Sequence, residues 1–159
     1  MAFSKYITST VLGQAGTTWL VEIYKDSFSG QSSEIAVEGE GFTITWNGQG
    51  GTRDRVFIAS ECKMNFVIQT ATEQTLLLDT INAKYNDLFV RIYKNTITNA
   101  NLWWYGWIMP SYDSIENMSF PYSFQLTAND SYGFFNKKAK KTFASQTEKI
   151  TPVKIKDIF

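Results

Sequence analysis

Asp113 and Glu116 stand three residues apart just after an aromatic run, the kind of carboxylate pair that could serve as acid and base in glycoside cleavage. Their surroundings, Pro110-Ser-Tyr-Asp-Ser-Ile-Glu-Asn-Met-Ser119, are rich in Ser, Asn and Pro, which reads as a solvated loop. The chain has no histidine, so Ser-His-Asp and Cys-His nucleophile systems, an imidazole base and His-ligated zinc or iron are all excluded. A single cysteine, Cys62, can form neither an internal disulfide nor a thiolate cage, and is expected to be a small core side chain. Gly48-Gln-Gly50-Gly51 is the nearest approach to a phosphate loop, but no apolar helix follows it and it reads as a turn. The expectation is therefore a protein that is not an enzyme, with no catalytic residue, no metal ligand and no cofactor.

Binding is better represented than catalysis. Leu102-Trp-Trp-Tyr-Gly-Trp-Ile-Met109 read as a strand puts Leu102, Trp104, Gly106 and Ile108 on one face and Trp103, Tyr105, Trp107 and Met109 on the other. Both faces are apolar. Such a strand suits a core on one side and a helix or neighbouring subunit on the other, so Trp103, Trp104 and Trp107 are candidate subunit-interface residues. The alternative is a carbohydrate-binding module that recognises host surface glycans by stacking sugars on the same three indoles. Base stacking is disfavoured because no cation interrupts the run, and the balance of 15 basic and 15 acidic residues lacks the footprint of a nucleic-acid binder. Lys137, Lys138, Lys140 and Lys141 form a basic cluster suited to an acidic partner surface, or to plain solvation.

The elements that must position these residues are mostly strands. In Thr18–Lys25, Trp19, Val21 and Ile23 share a face. Ile35–Val37 and Phe42–Trp46 read as two short strands parted by Gly39 and Gly41, with Asn47-Gly48 as a turn. Arg53-Asp-Arg55 reads as a charged loop closing a hairpin. Cys62, Met64, Phe66 and Ile68 alternate with polar neighbours. The period then changes: Thr70-Ala-Thr-Glu73 fits a capping box, and Leu76, Leu77, Thr80 and Ile81 recur at helical spacing, predicting a helix over 71–84 with its apolar stripe on a sheet. Leu88–Lys94 and Leu102–Met109 pair as a hairpin, and Tyr122, Phe124, Leu126 and Ala128 mark a last strand. The fold class is mainly β, an antiparallel barrel or sandwich of about seven or eight strands with one packed α-helix.

Charge divides the chain. Residues 1 to 136 carry 8 basic and 13 acidic side chains, 8 − 13 = −5, and residues 137 to 159 carry 7 and 2, 7 − 2 = +5. The first part is expected to be the β domain and the second a basic tail, in which Thr151-Pro-Val-Lys opens like a short helix. No apolar run reaches the roughly 20 residues of a membrane span. Met1–Thr8 lacks the apolar stretch of a secretory signal, so the chain is expected to be made in a cytoplasm.

Taken in order, certain segments resemble a known family. They are Ile58-x-Ser60-x-Cys62, the helix with Leu76 to Ile81, Leu88-Phe-Val-Arg-Ile-Tyr93, Trp104-Tyr-Gly-Trp-Ile-Met-Pro110, and Phe124-Gln-Leu-Thr-Ala-Asn-Asp130. The set resembles the N-terminal domain of tail hub or baseplate proteins of phages and prophages from Bacteroidetes-type hosts, over roughly residues 18 to 159. It departs at Asp130-Ser-Tyr-Gly133, where that family has Asp-Gly-Leu. The resemblance implies a tail-tube-like β-barrel with one helix and a structural role. Copies would form a ring joining the tail tube to host-contacting parts, with itself and other tail proteins as partners. It also implies location in the virion tail after synthesis in the bacterial host, nucleic acid met only in passage through a lumen, and a further helix and domain beginning near residues 150 to 159.

Overall fold

The computed structural model describes residues 2–13, 16–47, 59–84, 87–109 and 119–130. The elements are β1 (Phe3–Leu12), β2 (Thr18–Asp26), β3 (Ser33–Glu34), β4 (Val37–Asn47), β5 (Ala59–Ile68), α1 (Ala71–Asn82), β6 (Leu88–Lys94), β7 (Leu102–Ile108) and β8 (Tyr122–Asn129). Hydrogen bonds join the strands in one sheet of order β3-β1-β2-β6-β7-β8-β5-β4. The sheet curls into a half-barrel, mainly β with one helix, as the patterning predicts. Every pairing is antiparallel except β1 with β3, which run parallel over Ile7 and Thr8.

Alternation explains the core. Val21 and Ile23 of β2, Cys62, Met64, Phe66 and Ile68 of β5, Leu88, Val90 and Ile92 of β6, Trp104 and Ile108 of β7, and Leu126 and Ala128 of β8 all turn to the concave side. Burying a side chain of the size of Phe66 contributes about 1.5–3 kcal/mol. Cys62 is a buried free thiol within this cluster, as expected.

Two parts of the sheet differ from the sequence expectation. Phe3–Leu12 is a full strand that the alternation did not reveal. A bulge between Lys5 and Ile7 turns both Tyr6 and Ile7 inward, and the next inward position is a serine, Ser9, whose hydroxyl donates to Ile35 O at 2.5 Å. Ile35 and Ala36 do not belong to a strand. They bridge β1 and β5, each second from an end of the sheet: Ile35 N donates to Thr8 O (3.0 Å) on β1, and Ala36 O accepts from Val67 N (2.9 Å) on β5. Of the two strands expected around Gly39 and Gly41, only Val37 of the first joins Phe42–Trp46 of the second, in one strand, β4, that runs through both glycines with an irregular register between Val37 and Phe42. Gly41 has φ +64°, and a Cβ there would lie 2.5 Å from Val11 Cγ1, so only glycine permits this approach of β4 to β1.

Helix α1 leaves β5 and returns to β6 at one end of the half-barrel. Its N-cap is Thr70, whose Oγ1 accepts from Glu73 N at 3.3 Å. Glu73 returns its bond one residue before the cap, accepting from Gln69 N at 2.7 Å. Leu77 and Thr80 are buried, with Leu76 packed beside them. The Tyr6 phenol donates to Leu76 O (3.2 Å) and to Asp79 (3.3 Å), and Lys25 pairs with Asp79 at 3.0 Å. The helix is thereby tied to the start of β1 and the end of β2.

Candidate binding surface

β7 sends its three tryptophans in three directions. Ile92 pairs with Trp104 but Tyr93 with Leu102, so Trp103 is an extra residue in the ladder. That bulge moves Leu102 to the outer face with Tyr93, against the strict alternation that put it beside Trp104. Trp104 points inward and is buried, its Nε1 donating to Ser60 Oγ at 2.8 Å. Asp130 Oδ2 accepts from both the Ser60 hydroxyl and the Ser60 N, each at 2.7 Å. Gly106, next on the inner side, has no room for a side chain: a Cβ would overlap the Trp104 ring and lie 2.6 Å from Asn129 O.

Trp103 is displaced to the end of the half-barrel opposite α1, where it meets Trp19 edge-on (5.6 Å between centroids), and Trp19 meets Phe42 in the same way (5.6 Å). β1 ends, β2 begins, β6 ends and β4 ends on this side. Leu12 (79% exposed), Trp46 (60%), Trp103 (58%) and Ile97 of the β6–β7 turn (51%) stand along it. The result is an exposed apolar rim.

Trp107 stays on the outer wall, edge-on to Phe89 (5.6 Å) and Phe3 (5.9 Å), while Tyr24 stacks flat on Phe89 (4.8 Å, 2°). Phe89, Arg91, Leu102, Tyr105 and Trp107 line a shallow cleft of about 280 Å³. The Arg91 guanidinium lies 5.1 Å from the centres of both the Tyr24 and Phe89 rings. Hydrogen bonding to the Tyr93 phenol, and more weakly to Tyr24, holds it charged more firmly than usual. Glu22, Arg91's neighbour across the β2–β6 ladder, is buried on this outer face. Its Oε2 accepts from the Tyr24 hydroxyl at 2.7 Å and its Oε1 pairs with the Lys5 ammonium. Burial, then the hydrogen bond to Glu22, raises the Tyr24 pKa.

Trp103, Trp104 and Trp107 are thus not one platform: Trp104 is buried on the inner side, as alternation places it, and the bulge parts Trp103 from Trp107. Phe89 and Arg91 line the cleft without having been singled out as site residues in the sequence. Phe89 and Arg91 alternate with the core residues of β6, and an aromatic at a solvent-side position was the available signal. Lys137, Lys138, Lys140, Lys141, Asp113, Glu116, the Gly48–Gly51 turn, the Arg53–Arg55 loop and the Thr151 helix start lie outside the described residues.

Neither a family model nor a curated protein nor a solved structure matches the chain. Among the described residues no group of His, Cys, Asp and Glu side chains is arranged to hold a metal ion, and no helix is long and apolar enough to cross a membrane.

Proposed function

We propose that this chain is a structural subunit of a phage tail tip or baseplate hub, whose copies form a ring joining the tail tube to host-contacting parts. The observation that carries the reading is the apolar rim of Leu12, Trp46, Ile97 and Trp103 at the end that α1 does not cover. Large apolar side chains left in solvent at one end of a sheet suit a surface that meets a protein partner. β4 adds to it. This strand pairs with β5 on one side and stands at the end of the sheet order, so its edge, with Trp46 upon it, can receive a further strand. A rim meeting a different surface of the next copy is a heterologous contact, which generates a ring when the rotation closes. Body and tail charges of −5 and +5, counted over residues 1 to 136 and 137 to 159, favour such head-to-tail pairing. Virion location, other tail proteins as partners and nucleic acid in the lumen belong to the same proposal.

Size-exclusion chromatography with light scattering tests it. The full chain should form a discrete oligomer that Trp103→Ala weakens. A parent chain that remains monomeric at the highest soluble concentration, alone and with neighbouring tail proteins, would refute the reading.

A further inference from the structure

We propose that the outer cleft between β6 and β7 binds a carboxylated sugar, Arg91 taking the carboxylate and the Tyr105 and Trp107 rings taking an apolar face of the pyranose. The solvent side of an antiparallel sheet is ordinarily polar. Here Phe89, Leu102, Tyr105 and Trp107 line a hollow instead, with Tyr105 half exposed. The edge-on contacts of Trp107 with Phe89 and Phe3 fix its indole before any ligand arrives, so little ordering remains for binding to offset.

The charge in the cleft is uncommitted. Glu22 is the cross-strand neighbour of Arg91, yet its carboxylate is engaged by Lys5 and Tyr24. Among the described residues no ion pair involves Arg91. Lys5, Glu22 and Arg91 together leave one positive charge, on a planar fork of N–H donors set beside the Tyr24 and Phe89 rings. A carboxylate matches that fork in two parallel hydrogen bonds.

Shape selects the rest of the ligand. About 280 Å³ accommodates a single ring with its substituents. The cleft is open, so one face of the occupant remains in water. A pyranose tolerates this, because its C–H face can lie on the indole and phenol while its hydroxyls stay hydrated; a flat aromatic acid would leave apolar surface exposed. Inorganic phosphate would use the guanidinium and leave the rings idle. The cleft lies on the wall and the apolar rim at the strand ends, so sugar binding and assembly are tested separately.

The experiment is an NMR titration of the full chain with glucuronate, glucose, benzoate and inorganic phosphate, following the indole N–H signals. Glucuronate should shift the Trp107 signal saturably with a dissociation constant of about 1 mM and bind about tenfold or more tightly than glucose. Arg91→Gln should reduce glucuronate to the level of glucose, and Tyr105→Ala should weaken both sugars. If Arg91→Gln loses its native spectrum, Arg91→Lys, which keeps the charge and loses the fork, should bind glucuronate more weakly than the parent. Benzoate or phosphate binding as well as glucuronate overturns the proposal, as does glucuronate binding insensitive to Tyr105→Ala or the absence of saturable shifts with any sugar.

Discussion

The two ends of the half-barrel are made from the same strands and finished in opposite ways. At the α1 end, Leu77 and Thr80 are buried, Tyr6 reaches Leu76 O and Asp79, Lys25 pairs with Asp79, and Thr70 and Glu73 satisfy the first turn of the helix. At the other end, Leu12, Trp46, Ile97 and Trp103 stand in solvent, and Trp103 meets the edge of Trp19. Folding is served at the first end and left unserved at the second. Residues that contribute little to the fold yet cost solubility are explained by what they meet outside it.

The largest effect should come from the served end. Leu77→Ala removes a fully buried side chain from the inner cluster and should cost about 2–5 kcal/mol, transfer energy plus an unfilled cavity. A denaturant midpoint analysis giving under about 0.5 kcal/mol would mean that the helix is not seated on the core. Trp104→Phe comes next. It keeps an aromatic ring but removes the N–H that Ser60 Oγ accepts, in a buried chain ending on Asp130, and should cost about 1–3 kcal/mol. Ser60→Ala should couple to it in a double-mutant cycle, whereas additive losses would show that the hydrogen bond carries nothing.

How far the sequence foretells this contrast depends on the element. β2, β5, β6, β8 and α1 were legible because strict alternation or a capping box announces them; of the expected helical stripe Leu77 and Thr80 are buried and Leu76 packs on the core, whereas Ile81 is only half-buried and the helix ends at Asn82, not at residue 84. β1 was not, because a bulge at Tyr6 breaks its period and a buried serine, Ser9, stands at an inward position, its polarity met by Ile35 O. The link at Ile35 and Ala36 was invisible for a related reason: its bonds run to β1 and β5, distant in sequence. On β7 the composition was informative and the register was not. A single extra residue, Trp103, separates three indoles that a uniform strand would divide only between two faces. The Arg91 cleft assembles residues of β6 and β7 across that same irregular ladder, so its existence could not be read from either strand alone.

Alkaline pH distinguishes the served interior by another route. Burial, with Glu61 adding to it, pushes the Cys62 thiol from the usual 9.0 up to about 12. Burial and then Asp79 raise the Tyr6 phenol, and Tyr24 is raised by burial and Glu22. Each of these groups holds its proton more tightly folded than unfolded. Its contribution is therefore complete below the unfolded pKa and is lost as pH rises towards the folded value. Stability should be flat with respect to these groups up to about pH 9 and then decline, with Cys62→Ala and Tyr6→Phe each making the decline shallower. Parent-like slopes in both variants, measured by urea unfolding over that range, would contradict the assignment.

The smallest effect on stability should come from the rim, and it discriminates most sharply between the two ends. Leu12 is 79% exposed at the last position of β1, so Leu12→Ser gives up little burial and should change stability by no more than about 0.5 kcal/mol. Trp46→Ser, on the outermost strand at a position 60% exposed, should behave alike. Association should respond in the opposite proportion, because aromatic and aliphatic anchors dominate interface energy while the surrounding contacts contribute little. The pair of variants should therefore unfold like the parent and elute smaller than it. A rim variant that loses several kcal/mol as a monomer would show that these side chains serve the fold after all, and the contrast between the ends would vanish.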